Sequence, residues 1–140
     1  MISEQLSFLP DSLPDSHPFP PARERTVWNA LPQRVKDRFM KAGEAALAAP
    51  IAPLPLSLWL DFTRTGRRAA WEDAYFSRRA RLCALVCAEC VEHQGRFMDA
   101  IADTAWAICE ESAWQLPAHN SYVRDTPQLP LPDVTRPIVD

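Results

Sequence analysis

Ala84-Leu-Val-Cys-Ala-Glu-Cys-Val-Glu-His-Gln-Gly95-Arg-Phe-Met-Asp-Ala-Ile101 joins the end of one apolar, alanine-rich pattern to the start of another through a single glycine. Upstream of the glycine, helical spacing predicts a helix over about 68–93. Trp71, Ala74, Tyr75, Leu82, Leu85, Val86 and Ala88 form its broad apolar face, and Arg78, Arg79, Arg81, Glu89 and Glu92 lie largely off it. Downstream, Phe97, Ile101, Ala105 and Ile108 fall one above another in a second helix over about 96–112. Gly95 supplies a tight corner between them. Two long helices joined by so few residues must run antiparallel, as an αα-hairpin.

Working outward toward the N-terminus, a helix is expected over about 32–48, with Pro32 suited to its first turn. Its apolar positions are Val35, Phe39, Ala42, Ala46 and Ala49. A shorter helix over about 56–63 carries Leu58, Trp59, Leu60 and Phe62. No stretch alternates apolar and polar residues with the length and β-branched content of a strand, and no repeat of tetratricopeptide type is present. The fold class read from these patterns is all-α, built of antiparallel helical hairpins. The 14 prolines cluster at 9–21, 50–55 and 127–137 and punctuate the helices. Residues 1–22 read as a proline-rich, poorly ordered arm and 23–140 as one helical domain.

Composition bounds the rest. At 140 residues the chain is one domain or less. A chain of this size buries roughly 68–70% of its unfolded surface. Hydrophobic content of 47% with 24% charged residues is that of a globular protein. A net charge of −3 argues against a nucleic-acid partner, which calls for a basic face. No apolar run is long enough for a membrane span, and the first residues lack the basic and apolar regions of a signal peptide, so no membrane partner and a cytoplasmic location are expected. Four cysteines without a secretory signal read as reduced thiols.

Cys83-Ala-Leu-Val-Cys87-Ala-Glu-Cys90, followed by His93, has spacing compatible with an iron–sulfur cluster or a zinc site. Cluster thiolates ordinarily converge from a glycine-containing loop. Here the intervening residues are strong helix formers, and the expected role of the thiols is core packing, with no metal and no cofactor. Cys109 continues the apolar character of the next helix.

Two stretches offer polar chemistry. Asp61-Phe-Thr-Arg-Thr-Gly-Arg-Arg68 is a basic turn between helices. Its arginine forks suit carboxylates, although solvated residues at a helix start, with Glu72 as a partner one turn on, are the plainer expectation. Ile108-Cys-Glu-Glu-Ser-Ala-Trp-Gln-Leu-Pro-Ala-His-Asn120 places two acids at a helix end, where the dipole disfavours them, then a tryptophan, a proline break and a His-Asn pair. Trp106 and Trp114 suit either sugar stacking or core filling. His119 is a proton carrier or a packed loop histidine, and Asn120 a ligand or a turn former.

These residues also carry a resemblance. Arg64-Thr-Gly-Arg67, Trp71-Glu-Asp-Ala-Tyr-Phe-Ser-Arg-Arg79, Ala88-Glu-Cys, Gly95-Arg-Phe, Ile108-Cys-Glu-Glu-Ser-Ala-Trp114, Leu116-Pro-Ala-His-Asn120, Leu131-Pro-Asp and Pro137-Ile-Val-Asp140 follow one another in an order that resembles the N-terminal part of heparinase II/III-like polysaccharide lyases. The resemblance spans about Trp28 to Asp140 and is most specific between Cys109 and Asn120. It implies the start of an α/α toroid that holds an acidic polysaccharide or oligosaccharide and is completed by further toroid helices and a C-terminal β-sandwich. The implied reaction is β-elimination at a uronic acid, which needs a neutralised carboxylate, a base and an acid. The resemblance places those groups on asparagine, histidine and tyrosine residues beyond Asp140, so no catalytic residue is carried over. It leaves His119, Asn120, Trp114 and Glu111 as substrate-binding candidates, with Arg124 steering acidic sugar. A partial toroid would also expose an apolar edge. The alternative is a non-enzymatic helical binding or adaptor module, whose proline-rich ends act as recognition elements.

Overall fold

The structure is a computed structural model that describes residues 19–119. Among the described residues the protein is all-α, with no strand. Its elements are α1 (Arg25–Asn29), α2 (Gln33–Ala48), α3 (Leu56–Thr65), α4 (Ala69–Glu92), α5 (Met98–Cys109) and a closing 3-10 turn, Pro117–His119. The long helix α4 is the spine. Helix α2 packs along it, and α5 returns antiparallel against it.

The hairpin expected around Gly95 is present. The carbonyl end of α4 is closed by His93 in the left-handed region (φ 57°), and Gly95 follows with φ 79°. Glu89 fixes the corner. Its carboxylate is buried and accepts the Gly95 N–H at 2.7 Å and the Phe97 N–H at 3.2 Å. Two backbone donors at the start of α5 are thereby satisfied by one side chain from α4. The spacing that placed Glu89 off the apolar face missed this role.

Two apolar clusters form the core. One joins Leu85 and Ala88 of α4 to Phe97, with Met40, Ala46 and Leu47 of α2 and Ala100 and Ile101 of α5 packed on it. Here α2 crosses α4 at Gly43, the one fully buried residue of α2. A Cβ built on Gly43 would collide with Ala88 Cβ and lie 3.4 Å from Phe97 Cε1. The buried face of α2 is therefore centred on Gly43. Ala42 and Ala49, expected inside, are exposed. The second cluster holds Trp59 and Leu60 of α3, Trp71 and Tyr75 of α4, and Leu116 from the loop after α5. Trp59 and Trp71 meet edge to face at 5.1 Å.

Helix α5 ends at Cys109 rather than near residue 112, because Glu110 caps it and the chain turns toward α3. The arginines of α4 that spacing places off its apolar face are engaged by other parts of the protein. Arg78, Arg79 and Arg81 are not solvated. Each is half-buried and bonded to backbone carbonyls of other helices or its own.

Those bonds follow a pattern set by helix geometry. The last carbonyls of a helix have no partner within it and carry partial negative charge. Arg81 donates to Ala46 O and, at 2.5 Å, to Ala49 O, closing the end of α2, while its Nε reaches Thr104 Oγ1 of α5 at 3.0 Å. Arg25 donates to Cys90 O at 2.7 Å and Val91 O at 2.9 Å, closing α4. Arg78 takes Ala107 O of α5 at 3.0 Å and Ala52 O of the α2–α3 connection at 2.7 Å. Three helix ends are thus each held by a guanidinium from a different helix.

The cysteines correct a further expectation. Cys83 and Cys109 are exposed, and Cys87 and Cys90 are only half-buried, so none is a core residue. Cys83 and Cys87 share the side of α4 that carries Phe76, away from Leu85 and Ala88. Among the described residues no helix is long and apolar enough to cross a membrane.

Candidate functional site

The candidate stretch after α5 is tied to the body of the protein at several points. Glu111 sits just past the helix end, and its side chain is 4% exposed. Arg79 Nη2 meets its Oε2 at 2.7 Å, and Arg78 Nη1 meets its Oε1 at 3.1 Å. The Arg79 guanidinium also lies 3.2 Å from the centroid of the Tyr75 ring. The two acids at the helix end therefore have different fates. Glu110 faces solvent, while Glu111 is clamped between two cations and leaves no carboxylate open to a ligand.

Three residues on, the Tyr75 hydroxyl donates to Trp114 O at 3.1 Å. Trp114 Nε1 donates to Ile108 O at 2.9 Å, a carbonyl in the last turn of α5 that also accepts the Glu111 N–H at 3.2 Å. The indole edge is thus spent on the backbone, while the side chain remains 41% exposed. Gln115, Leu116 and Pro117 are buried immediately afterwards, Leu116 among the aromatic residues of α3 and α4. The 3-10 turn then presents His119 at the surface, its N–H bonded to Leu116 O at 2.9 Å. The structure brings Glu111, Trp114 and His119 together on one anchored loop. Asn120 and Arg124 lie outside the described residues. Trp106 is 68% exposed on the outer side of α5 and contributes nothing to the core.

The basic turn between α3 and α4 is held by the same aromatic cluster, because Trp59 and Leu60 precede it and Trp71 follows it. Gly66 closes α3 in the left-handed region (φ 75°). Thr65 Oγ1 donates back to Asp61 O at 2.9 Å. Arg67 lies 3.5 Å from Asp61 and is 76% exposed. Arg68 lies 3.4 Å from Glu72 and is 57% exposed. Both contacts are long and the guanidiniums are exposed, although Asp61 and Glu72 are largely buried (25% and 19% exposed), so the arginines are held weakly. Arg64 is also exposed.

Spacing alone did not single out Tyr75, Arg78 and Arg79 as the supports of the loop. Their signal was an Arg-Arg pair in α4 that faces the acid-rich end of the partner helix, which becomes readable only once the hairpin register is known. Among the described residues no group of three or more histidine, cysteine or acidic side chains is placed to hold a metal ion. Burial pushes the Cys87 and Cys90 thiols up from their ordinary pKa, and each neighbouring thiol adds to the shift. No protein-family model matches the chain, and no curated protein matches it.

Proposed function

We propose that this helical unit is the start of an α/α toroid of heparinase II/III-like type, serving a polysaccharide lyase that acts by β-elimination on uronic-acid-containing sugar. Its own part in that activity is substrate binding. The observation that carries the reading is Trp114. Its ring is half-open to solvent, its indole N–H is bonded to Ile108 O, and its carbonyl is held by the Tyr75 hydroxyl. What it offers a ligand is therefore a fixed aromatic face, the surface on which the C–H side of a pyranose stacks. His119 stands exposed five residues on, after the buried Gln-Leu-Pro segment. Glu111 serves this site by holding the loop rather than by touching sugar. The proton-transfer groups of the elimination belong, on this reading, to the remainder of the toroid.

The test is turnover of polyuronides by the product of the intact reading frame, followed through the absorbance of the conjugated double bond that β-elimination creates. Trp114→Ala and His119→Ala are expected to raise KM or lower kcat. Full activity in both variants would sink the assignment of this loop to the substrate.

A second reading, a non-enzymatic helical binding module, is favoured by a different observation. Met98 (52%) and Trp106 (68%) stand open on the outer side of α5. Large apolar side chains exposed on one helix suit a docking face for a partner as well as the apolar edge of a partial toroid. On this reading neither Trp114 nor His119 affects sugar binding.

A further inference from the structure

We infer that the turn between α3 and α4 and the loop after α5 form one docking surface for anionic glycan, in which Arg64, Arg67 and Arg68 take the acidic groups and Trp114 stacks on a sugar ring. This inference rests on the reading above and adds to it the residues that recognise charge.

The arginines fall into two groups. Arg25, Arg78, Arg79 and Arg81 are half-buried, and each makes at least three hydrogen bonds to backbone carbonyls or side chains of the protein. Arg67 and Arg68 are 76% and 57% exposed, with ion-pair distances of 3.5 and 3.4 Å, and Arg67 Nε also reaches Thr65 Oγ1 at 3.4 Å. The Arg64 side chain makes no hydrogen bond or ion pair among the described residues and faces solvent. Long contacts made by exposed guanidiniums contribute little and leave donors for a two-pronged contact with a carboxylate or sulfate.

The two elements share an anchor. Trp59, Leu60, Trp71, Tyr75 and Leu116 pack as one cluster, which fastens the α3–α4 turn and the loop after α5 to the same end of the protein. Trp114 O is bonded to Tyr75, which lies seven residues along α4 from Arg68. At about 1.5 Å of rise per residue, that is roughly 10 Å along the helix axis, a span suited to an oligosaccharide rather than a single small anion. Gly66 ends α3 in a left-handed conformation, and Thr65 ties back to Asp61. A basic turn and an aromatic face anchored by one core lower the ordering cost of binding.

The chain would be titrated with polygalacturonate, dextran sulfate and neutral dextran at low salt, with binding followed by calorimetry and tryptophan fluorescence. Three variants would be compared: Arg64→Gln/Arg67→Gln/Arg68→Gln, Trp114→Ala, and Arg34→Gln/Arg38→Gln/Lys41→Gln, which removes the same charge from the outer face of α2. Circular dichroism would check that each remains folded. The expected result is binding of polygalacturonate but not dextran, weakened at least tenfold by the turn variant and by Trp114→Ala, and less than twofold by the α2 variant. Equal losses in the two charge variants would reduce the effect to diffuse attraction and overturn the inference. Undiminished binding by the turn variant, with Trp114→Ala still impaired, would overturn the arginine assignment while leaving the lyase reading intact. Binding of dextran sulfate alone, lost in the turn variant, would uphold the surface for sulfated glycan and remove the uronate reading. Binding of none of the three polymers would overturn both.

Discussion

Arg79 and Glu111 meet at 2.7 Å where α4 faces the loop after α5, with the carboxylate side chain only 4% exposed. The pair is one side of a three-part latch. Arg78 reaches the other carboxylate oxygen, and the Tyr75 ring lies under the Arg79 guanidinium. Since Tyr75 also bonds to Trp114 O, a single turn of α4 sets both ends of the segment that presents Trp114. The carboxylate is disfavoured at the end of α5 by the helix dipole. The two guanidiniums oppose that cost.

Glu111→Ala removes the shared acceptor and leaves two half-buried guanidiniums without it. Breaking a buried ion pair from one side costs about 3–5 kcal/mol. The lower end is expected here, because Arg79 is 27% exposed. Glu110→Ala, one residue away and exposed, should stay within about 0.5 kcal/mol of the parent. Urea unfolding midpoints of the two variants check this. Similar midpoints would mean that the latch contributes nothing to stability.

The helices were legible in the sequence because their spacing is regular. The hairpin at Gly95, the start of α2 after Pro32 and the length of α4 all follow from pattern and punctuation. What was not legible depends on contacts between helices. Arg81 looks like surface charge until α2 is laid beside α4 and its end comes within reach. Glu89 looks like a solvated acid until the chain reverses and brings the Gly95 and Phe97 amides onto it. The thiols misled in the other direction. Helical spacing puts Cys83 and Cys87 on an apolar side of α4, but α4 is apolar on more than one side, and α2 and α5 cover a different one. At the candidate site, the sequence singled out Trp114 and His119 but gave no sign that Glu111 was already engaged.

The α2–α4 crossing should respond to exchange of a methyl group between Gly43 and Ala88. Gly43→Ala gains about 1 kcal/mol of helix propensity. It also forces a Cβ into Ala88, and overpacking costs typically 1–3 kcal/mol, so a net loss is expected. Ala88→Gly alone should lose about 1 kcal/mol in propensity and a little more in packing. The double variant places the methyl on the other helix and should recover to near the parent. A double-mutant cycle from thermal unfolding measures this coupling. Purely additive losses would show that the two helices do not touch at this point.

The four thiols should separate by reactivity. Alkylation proceeds through the thiolate. Burial and the neighbouring thiol raise Cys87 and Cys90, so at a given pH less of each is ionised in the folded protein than in the unfolded chain. Since the folded value is the raised one, their contribution to stability is present below the ordinary thiol pKa of about 8.5 and is lost as pH rises through the folded value. Mass spectrometry after brief iodoacetamide treatment near pH 8 should find Cys83 and Cys109 labelled first, consistent with their exposure. Labelling of Cys87 and Cys90 should catch up in urea or at higher pH. Equal labelling of all four under native conditions would contradict the burial of the latter two.

The tryptophans should divide in the same way. Trp59 is 1% exposed and Trp71 8%, both in the aromatic cluster, while Trp106 is 68% exposed on the outer side of α5. Truncating a core tryptophan to alanine typically costs about 3–5 kcal/mol, and Trp59→Ala is expected to fall in that range. Trp106 buries little of its ring, so Trp106→Gln removes little packing and should change stability by no more than about 0.5 kcal/mol. The same substitution takes a large apolar side chain off the surface. Self-association at high protein concentration, read by analytical ultracentrifugation, should therefore fall, and acrylamide quenching should lose its most accessible component. A loss of stability in Trp106→Gln as large as in Trp59→Ala would mean that the outer side of α5 is covered in the folded protein and that α5 is packed on both sides.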